Sequence, residues 1–314
     1  MNKPSSPNVK CDLANELSYL HSLTCPDGFD YEFMLSFLAP RMIDGVENVI
    51  NQKYLRSFYF PLSEPSNQFV KGYFSVQYQA PSHQLDIEIH CDDSQAIEPV
   101  LQRIAFMFDL DTDMTAIEQH LQHDEILQRG FIHQRVPRMP KAFDSFEFCI
   151  RAILGQQVSV KAATTLAKRI AHASALATPA HFPEGIDYYF PQCQDLSHLN
   201  FSGLGLTQSR IATLQLAIAS LQSGEVSLSK AQNFEEFLAE WTHLKGVGPW
   251  TANYLAMRGL GIQDSFPDKD LGVLKALADK DGKYPSRKAV LEQAKAWQPY
   301  RAYATLCLWN GLGH

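Results

Sequence analysis

Three absences limit what this chain of 314 residues can be. Its six cysteines form no CxxC pair and no tight cluster, which excludes a zinc ribbon and the cysteine set of an iron–sulfur cluster. No segment approaches the roughly 20 apolar residues of a membrane span, and the N-terminus lacks the apolar core of a signal peptide. The sequence therefore predicts a soluble, cytoplasmic protein with no membrane partner.

Signatures of several enzyme classes are missing as well. The eleven histidines form no HExxH or comparable metal-ligand spacing, and the chain has no phosphate-loop motif and no GxSxG. Zinc protease, nucleotide hydrolase and serine hydrolase chemistry are therefore not indicated.

Positive charge is also scarce, since 27 Lys and Arg face 34 Asp and Glu and the net charge is −7. The deficit is unevenly distributed: residues 1–127 have a net charge of −12 and residues 128–314 a net charge of +5. Within the second part, 128–170 holds eight basic and two acidic residues. Such a stretch can contact a polyanion or can be a solvated helix face, and composition leaves both readings open.

Residues 1–112 carry the pattern of a small α+β domain. In 84–90, Leu85, Ile87 and Ile89 alternate with polar residues, which is typical of a half-buried antiparallel strand, and Pro81-Ser82 predicts the preceding turn. Further strands are predicted at 55–62 and 69–80, and helices at 30–50 and 96–109.

Residues 113–314 carry helical patterns, so the predicted fold class is α+β, with an antiparallel sheet domain followed by an all-α region. Two of the helices flank Gly155 within 143–170. The others are predicted at 208–223, 232–242, 249–259, 271–279, 287–297 and 300–311.

The most informative stretch is 244–270, LKGVGPWTANYLAMRGLGIQDSFPDKD. Two glycines, Gly246 and Gly248, allow a tight turn, and Pro249 suits the first position of the helix that follows. The N–H groups of such a turn and of the helix N-terminus can bind a DNA phosphate without reading sequence. A plain structural turn between two helices would have the same pattern.

This stretch resembles the helix–hairpin–helix of the DNA base-excision glycosylases. Three further segments resemble the alkylated-base branch of that superfamily, the bacterial DNA-3-methyladenine glycosylases. They are FDYEFMLSFLAPRMIDGVENV at 29–49, RAILGQQVSVKAA at 151–163 and RAYATLCLWNGL at 301–312. The resemblance implies a TBP-like α+β domain, then two helical subdomains with the hairpin at about 238–258.

The resemblance also implies that Asp270 is the catalytic carboxylate, because the family has an aspartate about twenty residues after the hairpin. A desolvated carboxylate near C1′ stabilises the positive charge that develops on deoxyribose as the base leaves. The alternative is a helix N-cap, a position that Asp favours. Its neighbours Asp268 and Lys269 are expected to be solvated loop charges.

One position distinguishes two mechanisms in this superfamily. Members that also cut the strand as lyases carry a Schiff-base lysine two residues after the second hairpin glycine. Trp250 occupies that position here. Hydrolysis by water, leaving an abasic site in an intact strand, is therefore expected.

Four aromatic residues are expected to line the base pocket. Trp250 and Tyr254 share one helix face at i and i+4, and Trp309 and Phe37 match pocket positions by resemblance. Electron-rich rings attract the positive charge of an alkylated purine, by about 0.5–2 kcal/mol per contact. Core packing is the alternative for all four residues.

The expected DNA-binding residues are Gly246, Val247, Gly248, Thr251, Gln156, Gln157 and Ser159. Base flipping leaves a gap in the duplex, and Gln157 occupies the position of the family's apolar wedge. By resemblance, the hairpin can also hold a monovalent cation on the backbone carbonyls of Thr242, Leu244 and Val247. No other cofactor is expected.

The sequence thus predicts a monomeric, monofunctional glycosylase acting on alkylated bases in double-stranded DNA, within base excision repair. A non-catalytic binder of damaged DNA with the same fold is one alternative. A bifunctional glycosylase and lyase for oxidised bases is another, and Trp250 disfavours it.

Overall fold

A computed structural model describes residues 8–11, 17–62 and 68–313. The chain folds into two compact units, each built from two segments. The first unit comprises Met1–Ala105 and Gln157–Thr207, and the second comprises Phe106–Gln156 and Gln208–His314.

The first unit contains an antiparallel sheet of six strands in the order β1-β2-β6-β5-β4-β3. The strands are β1 (Asn8–Cys11), β2 (Leu17–Thr24), β3 (Glu47–Ile50), β4 (Lys53–Pro61), β5 (Phe69–Gln79) and β6 (Gln84–Cys91). In β6, Leu85, Ile87 and Ile89 are buried while Asp86 is exposed. This alternation places one face of the sheet in the core of the unit, as the sequence predicted.

Helix α1 (Tyr31–Leu38) is capped by Asp30, whose carboxylate accepts the Phe33 N–H at 2.8 Å. Helix α2 (Ile97–Met107) begins in this unit, and α6 (Val160–Ala173) and α7 (Cys193–Ser197) also belong to it. The two sheet-domain helices predicted from periodicity are therefore present.

The helix predicted over 30–50 is too long. It ends at Leu38, a 3-10 turn with a proline follows at Ala39–Arg41, and 47–50 is strand β3. In β3, the Val49 N–H is bonded by the Asn48 side chain and the strand pairs with β4. The helical spacing of Val46, Val49 and Ile50 is a coincidence. A strand of four residues is too short to show the two-residue period of a strand.

The segment 157–207 packs against the sheet, whereas the sequence placed it in the helical region 113–314, which was expected to form two helical subdomains. Phe182, Ile186 and Tyr189 form a buried cluster with Leu55 of β4. The Ser57 hydroxyl of β4 donates to the Tyr188 carbonyl at 2.7 Å. These long-range contacts leave no local periodic signal, so a contiguous division at 112 could not anticipate them.

The second unit is helical, which confirms the α+β class with an all-α part. Its helices are α3 (Met114–Leu121), α4 (Glu125–Gln128), α5 (Ser145–Leu154), α8 (Gln208–Ser223), α9 (Phe234–His243), α10 (Pro249–Tyr254), α11 (Leu271–Ala276), α12 (Arg287–Ala294) and α13 (Arg301–Asn310). Helix α10 continues directly into a π-helical turn, Leu255–Leu260, and ends at Gly261 with φ 76°. None of the helices in the described part of the chain is long and apolar enough to cross a bilayer.

Candidate active site

Asp270 lies at the start of α11 and its carboxylate accepts three hydrogen bonds. Oδ1 accepts the Trp309 indole N–H at 2.7 Å and the Val273 backbone N–H at 3.1 Å. Oδ2 accepts the Trp250 indole N–H at 2.9 Å. The bond from Val273 makes Asp270 the N-cap of α11, so the capping and the functional interpretations describe the same geometry. All three donors are uncharged, so none of them neutralises the negative charge of the carboxylate.

The close contact between Asp270 and Trp309 requires a glycine at position 272. A Cβ at this position would lie 2.7 Å from Trp309 Cδ1 and 2.9 Å from Asp270 Oδ1. Any side chain here would push the indole or the carboxylate away, so the glycine permits both to meet.

The loop before Asp270 is anchored by Asn253 of α10. Its Oδ1 accepts the Phe266 N–H at 2.9 Å and its Nδ2 donates to the Pro249 carbonyl at 2.9 Å. The Ser265 hydroxyl donates to the Asn253 carbonyl at 2.6 Å. One buried amide thus connects the hairpin helix to the loop that positions Asp270.

Asp268 corrects a sequence expectation. It is 5% exposed and forms an ion pair with Arg287 of α12, so it is a buried anchor of the loop and not a solvated charge. Lys269, by contrast, is exposed as expected. The bidentate pair of Arg301 with Asp264, with both distances at 2.7 Å, holds the other end of the loop.

Aromatic rings surround the carboxylate. The Tyr254 ring stacks on Trp250 with centroids 5.2 Å apart and planes inclined by 22°. It meets Trp309 edge-on at 6.0 Å and Phe148 of α5 at 5.1 Å. Trp250, Tyr254 and Trp309 are each partly exposed, so these rings are accessible and are not simply core. The structure therefore brings three of the four predicted pocket aromatics together with Asp270.

The hairpin between α9 and α10 is closed by the Val247 N–H, which donates to the Leu244 carbonyl at 3.0 Å. Gly246 has φ +91°, and a Cβ there would lie 2.0 Å from the Thr213 hydroxyl oxygen of α8. Gly246 is thus fixed by both conformation and packing. Gly248 is the N-cap of α10, and a Cβ on it would meet no described atom within 4 Å. The space beside Gly248 is therefore open to an approaching group.

Two of the expected DNA contacts have buried side chains. Val247 is 4% exposed and Thr251 is 3% exposed, so only their backbone can reach a ligand. The Gln156 side chain is also engaged, because its Nε2 donates to the Gly246 carbonyl at 2.9 Å and to the Thr251 hydroxyl at 3.0 Å. Gln156 therefore braces the hairpin in this structure.

Known proteins resemble the chain over most of its length. The sequence profile of the AlkA N-terminal domain matches residues 22–144. A DNA-3-methyladenine glycosylase of Bacillus subtilis (strain 168) is 30% identical over 232 residues, which cover 68% of this chain and 73% of that protein. This chain belongs to the DNA-3-methyladenine glycosylase family.

Two further members of the family extend the comparison. DNA-3-methyladenine glycosylase 2 of Escherichia coli (strain K12) is 29% identical over 297 residues, covering 92% of this chain and 96% of that protein. The "Probable bifunctional transcriptional activator/DNA repair enzyme AlkA" of Mycobacterium tuberculosis (strain H37Rv) is 33% identical over 291 residues. This match covers 91% of the chain but spans only 55% of the mycobacterial protein's length.

A solved structure agrees on the fold of this DNA-3-methyladenine glycosylase family member. The 3-methyladenine DNA glycosylase of Archaeoglobus fulgidus superposes with a TM-score of 0.74 at 20% identity, covering 92% of this chain and 97% of that one. At this identity the likeness establishes the fold alone.

Three further site residues expected for a DNA-3-methyladenine glycosylase lie in the first unit, whereas Thr242, expected at the cation site, lies in α9 of the second unit. Phe37 in α1 is 5% exposed, and the guanidinium of Arg41 lies 3.8 Å over its ring. Gln157 is exposed and has φ 55°. The Ser159 hydroxyl caps α6 by accepting the Ala162 N–H at 3.2 Å. Their roles toward DNA stay predictions.

Sequence reasoning missed four residues of this site. They are Phe148 and Gly272, which lie against Tyr254 and Trp309, Arg258, which donates to the Tyr254 hydroxyl at 3.0 Å, and Asn253, which anchors the loop before Asp270. None of them carries a motif of its own. Arg258 and Asn253 are buried polar side chains within a helical pattern. A buried charge or amide on the apolar side of a helix is a signal that could have drawn attention to them.

Proposed function

We propose that this chain is a monofunctional DNA glycosylase that hydrolyses the N-glycosidic bond of alkylated bases of the 3-methyladenine type and leaves an abasic site. The observation that carries this proposal is the Asp270 carboxylate, fixed by two indole N–H groups inside a cluster of aromatic rings. The whole-length similarity to a protein named DNA-3-methyladenine glycosylase 2 supports it.

Asp270 acts on the charge that develops during bond cleavage. As the C1′–N bond breaks, the base leaves with the bonding electrons and positive charge grows on the deoxyribose. A carboxylate held by uncharged donors stabilises that charge and can accept a proton from the attacking water. The water oxygen forms the new bond to C1′, and the products are the free base and a strand with an intact backbone.

The aromatic rings act on the base. Trp250 and Trp309 lie beside the carboxylate, to which their indole N–H groups donate, and aromatic rings attract the positive charge of an N-alkylated purine. Phe37 is proposed as a further wall of the pocket on the basis of family resemblance. A positively charged base has a weakened glycosidic bond, because the base leaves as a neutral molecule. This property adds to the selectivity for alkylated bases.

Water is the attacking group in this proposal because Trp250 stands where lyase members carry lysine. Its indole N–H is bonded to Asp270, so this side chain holds the carboxylate and offers no amine for a Schiff base. The product strand should therefore stay uncut.

Double-stranded DNA is the proposed partner. Backbone N–H groups at Gly248 and at the start of α10 are proposed to bind a phosphate, with Val247 and Thr251 contributing backbone alone. Gln157, exposed and in a left-handed conformation, is proposed to fill the gap left by the flipped nucleotide. We also propose that the chain acts as a monomer in the cytoplasm.

The hairpin carbonyls of Thr242, Leu244 and Val247 are proposed as a site for a monovalent cation. The Leu244 carbonyl already accepts the Val247 N–H, which keeps the turn closed, and a carbonyl oxygen has a second lone pair to offer. Such a cation would stabilise the hairpin and attract a phosphate. The proposed chemistry requires no other cofactor.

The decisive experiment incubates the protein with methylated duplex DNA and measures released base and abasic sites. Release of N3- or N7-alkylated purines is expected, with strands cut only after alkali treatment. No release at any salt concentration would leave a non-catalytic DNA binder as the better interpretation.

A borohydride trapping experiment on the same mixture tests the mechanism separately. Position 250 holds a tryptophan and not a lysine, so it has no amine that could form a Schiff base. No covalent protein–DNA adduct is therefore expected. A trapped adduct would contradict attack by water and indicate lyase chemistry.

A further inference from the structure

A surface rich in lysine lies on the part of the second unit that surrounds and follows Asp270. It consists of five exposed side chains, which we call the lysine surface: Lys269, Lys275, Lys280, Lys283 and Lys288. Among the described residues none of these five ammonium groups has an ion-pair partner, whereas the exposed Lys295 pairs with Glu292 at 2.6 Å. The five positive charges are therefore available to a polyanion.

Helix α11 connects the lysine surface to the candidate catalytic carboxylate. Leu271 and Lys275 are exposed and lie one turn apart on the same face of this helix, while Val273 is buried. Leu271 is 54% exposed, more than any other large apolar side chain in the described part of the chain. At 1.5 Å per residue, Lys275 lies about 8 Å along the helix from Asp270. The exposed face of α11 thus begins beside the carboxylate and carries one apolar and one cationic group.

The turn after α11 carries two further lysines in a fixed backbone. The Asp279 carboxylate accepts the N–H groups of Asp281 at 3.0 Å and of Lys283 at 2.9 Å, and the Asp279 N–H donates to the Lys283 carbonyl at 3.1 Å. One of the two acidic side chains of the turn is thus used to close it. Lys280 and Lys283 project from this turn, and the next residue, Tyr284, is 46% exposed.

An ion pair attaches the start of α12 to the loop that positions Asp270. Arg287, the first residue of α12, pairs with the buried Asp268. Lys288 follows Arg287 in the chain and Lys269 follows Asp268, so these two lysines flank the pair. The lysine surface is therefore fixed to the catalytic loop at both of its ends.

DNA meets an electrostatic obstacle at this site. Asp270 keeps its negative charge, because its three hydrogen-bond donors are uncharged, and duplex DNA carries one negative charge per about 1.7 Å of its axis. A phosphate that approaches Asp270 is therefore repelled. Cations within the screening length of about 8–10 Å offset this repulsion, and Lys269 and Lys275 are placed at this range.

We propose that the lysine surface is a second DNA-binding surface, which holds phosphates beside the flipped nucleotide while Leu271 packs on a deoxyribose. It uses side-chain charge, whereas the hairpin uses backbone N–H groups. Its phosphate contacts fix the position of the duplex and carry no sequence information. The proposal rests on the proposed glycosylase function and adds to it a surface that supplies salt-dependent affinity.

The test measures DNA affinity as a function of salt. A labelled duplex with a tetrahydrofuran abasic analogue, and the same duplex without it, are titrated by fluorescence anisotropy at several KCl concentrations. The triple variant Lys275→Gln, Lys280→Gln, Lys283→Gln should reduce the slope of log affinity against log salt by about two or more, since each lost phosphate contact removes about 0.9. Its affinity at about 0.1 M salt should fall about a hundredfold.

Two matched variants show whether charge is responsible. Arginine at the same three positions keeps the charge and should retain both the slope and the affinity. Lys295→Gln removes an exposed lysine of the same unit that is already paired with Glu292, and it should leave the slope unchanged. An unaltered slope in the triple glutamine variant, or a loss of affinity without a change of slope, would overturn the proposal.

Leu271→Ala tests the apolar contact. An apolar contact releases no counterions, so the affinity should fall about fivefold at every salt concentration while the slope stays the same. Leu312→Ala is the control, because Leu312 is a leucine of the same unit that is 42% exposed, and this variant should bind like the unmodified protein. Equal affinities of the two variants would remove Leu271 from the surface.

These binding measurements involve no turnover, so they are independent of the glycosylase assay. If the unmodified protein releases no base from methylated DNA, the proposed function fails and the salt slopes still judge the lysine surface. If base is released but the triple glutamine variant binds DNA like the unmodified protein, the function stands and this inference fails.

Discussion

Two carboxylates, one in each unit, are held in opposite ways. Glu47 in the first unit is 6% exposed, and its Oε1 accepts from the Arg56 guanidinium at 2.8 Å and from the Tyr54 hydroxyl at 2.6 Å. Its charge is neutralised within the core. Asp270 in the second unit accepts from two indole N–H groups and a backbone N–H, all uncharged.

The difference teaches how the surroundings of a carboxylate separate structure from chemistry. A buried charge paired with a cation is stable but has no attraction left for a substrate. Asp109 repeats the first pattern, since it is fully buried and accepts from Lys141 at 2.5 Å and from the Tyr303 hydroxyl at 2.9 Å. Burial, followed by the Asp109 charge, raises the pKa of Tyr303 well above its usual range. Uncharged donors orient an anion without neutralising it, so it can stabilise a developing cation.

The largest expected effect is on catalysis by Asp270→Asn. Asparagine is as good an N-cap as aspartate, so α11 should persist while the negative charge is lost. Base release should fall by about a thousandfold or more, with DNA affinity retained. Single-turnover assays and a binding titration measure the two quantities. Full activity in this variant would remove Asp270 from the mechanism.

Glu47→Gln tests the role of the ion-paired carboxylate in the first unit. Removing the anion takes away the carboxylate that faces the buried Arg56 charge, and the free energy of unfolding should fall by about 3 kcal/mol or more. Denaturant unfolding measures this loss. The rate of base release per folded molecule should be unchanged well below the melting temperature. A specific loss of rate would show that the sheet unit contributes to the chemistry.

Trp309→Phe removes one indole donor from Asp270 and keeps an aromatic ring. We expect about a tenfold lower rate, since a hydrogen bond to a charged group is lost. Trp297→Phe is the matched control, because its indole N–H donates to the Asp124 carboxylate at 2.7 Å in the same unit. Equal rates in the two variants would contradict a special role for the donors of Asp270.

The smallest effect concerns a partly exposed carboxylate on the sheet. The His90 hydrogen bond at 2.9 Å lowers the pKa of Glu88 to about 2, with Lys53 contributing less. Because the folded pKa is depressed, the stabilisation is complete above the usual value of 4.5 and is lost as the pH falls toward 2.

The advantage of the unmodified protein over Glu88→Gln should therefore disappear across this pH range. Its size should stay below about 1 kcal/mol, since solvent screens the pair. Unfolding curves at several pH values measure it. An advantage that persists at pH 2 would disprove the assignment.

Local patterns predicted the elements that are long or regular. The alternation of Leu85, Ile87 and Ile89 identified β6, and helical periods placed α5 and α8 to α13 to within a few residues, whereas α3 and α4 were not predicted. Strands β1, β2 and β3 were missed, because edge strands of four residues and a strand with mixed polarity carry little period. The packing of residues within 157–207 on β4 was not predicted, because only tertiary contacts show it.

The candidate site also contains residues that the sequence could predict and contacts that it could not. Asp270, Trp250, Tyr254 and Trp309 could be named because the hairpin stretch and the last helix resemble segments of the glycosylase family. What holds them could not be predicted. The Asn253 amide and the Gly272 close approach depend on which helices meet, and sequence spacing does not contain that information.

The two indole groups on Asp270 also make the site optically visible. The chain contains four tryptophans, of which Trp241 and Trp297 are almost fully buried while Trp250 and Trp309 are partly exposed. Intrinsic fluorescence therefore comes from a shielded pair and from a pair that hydrogen-bonds the carboxylate. A purine entering beside Asp270 should quench the second pair alone, so an unlabelled protein reports when its own site is filled.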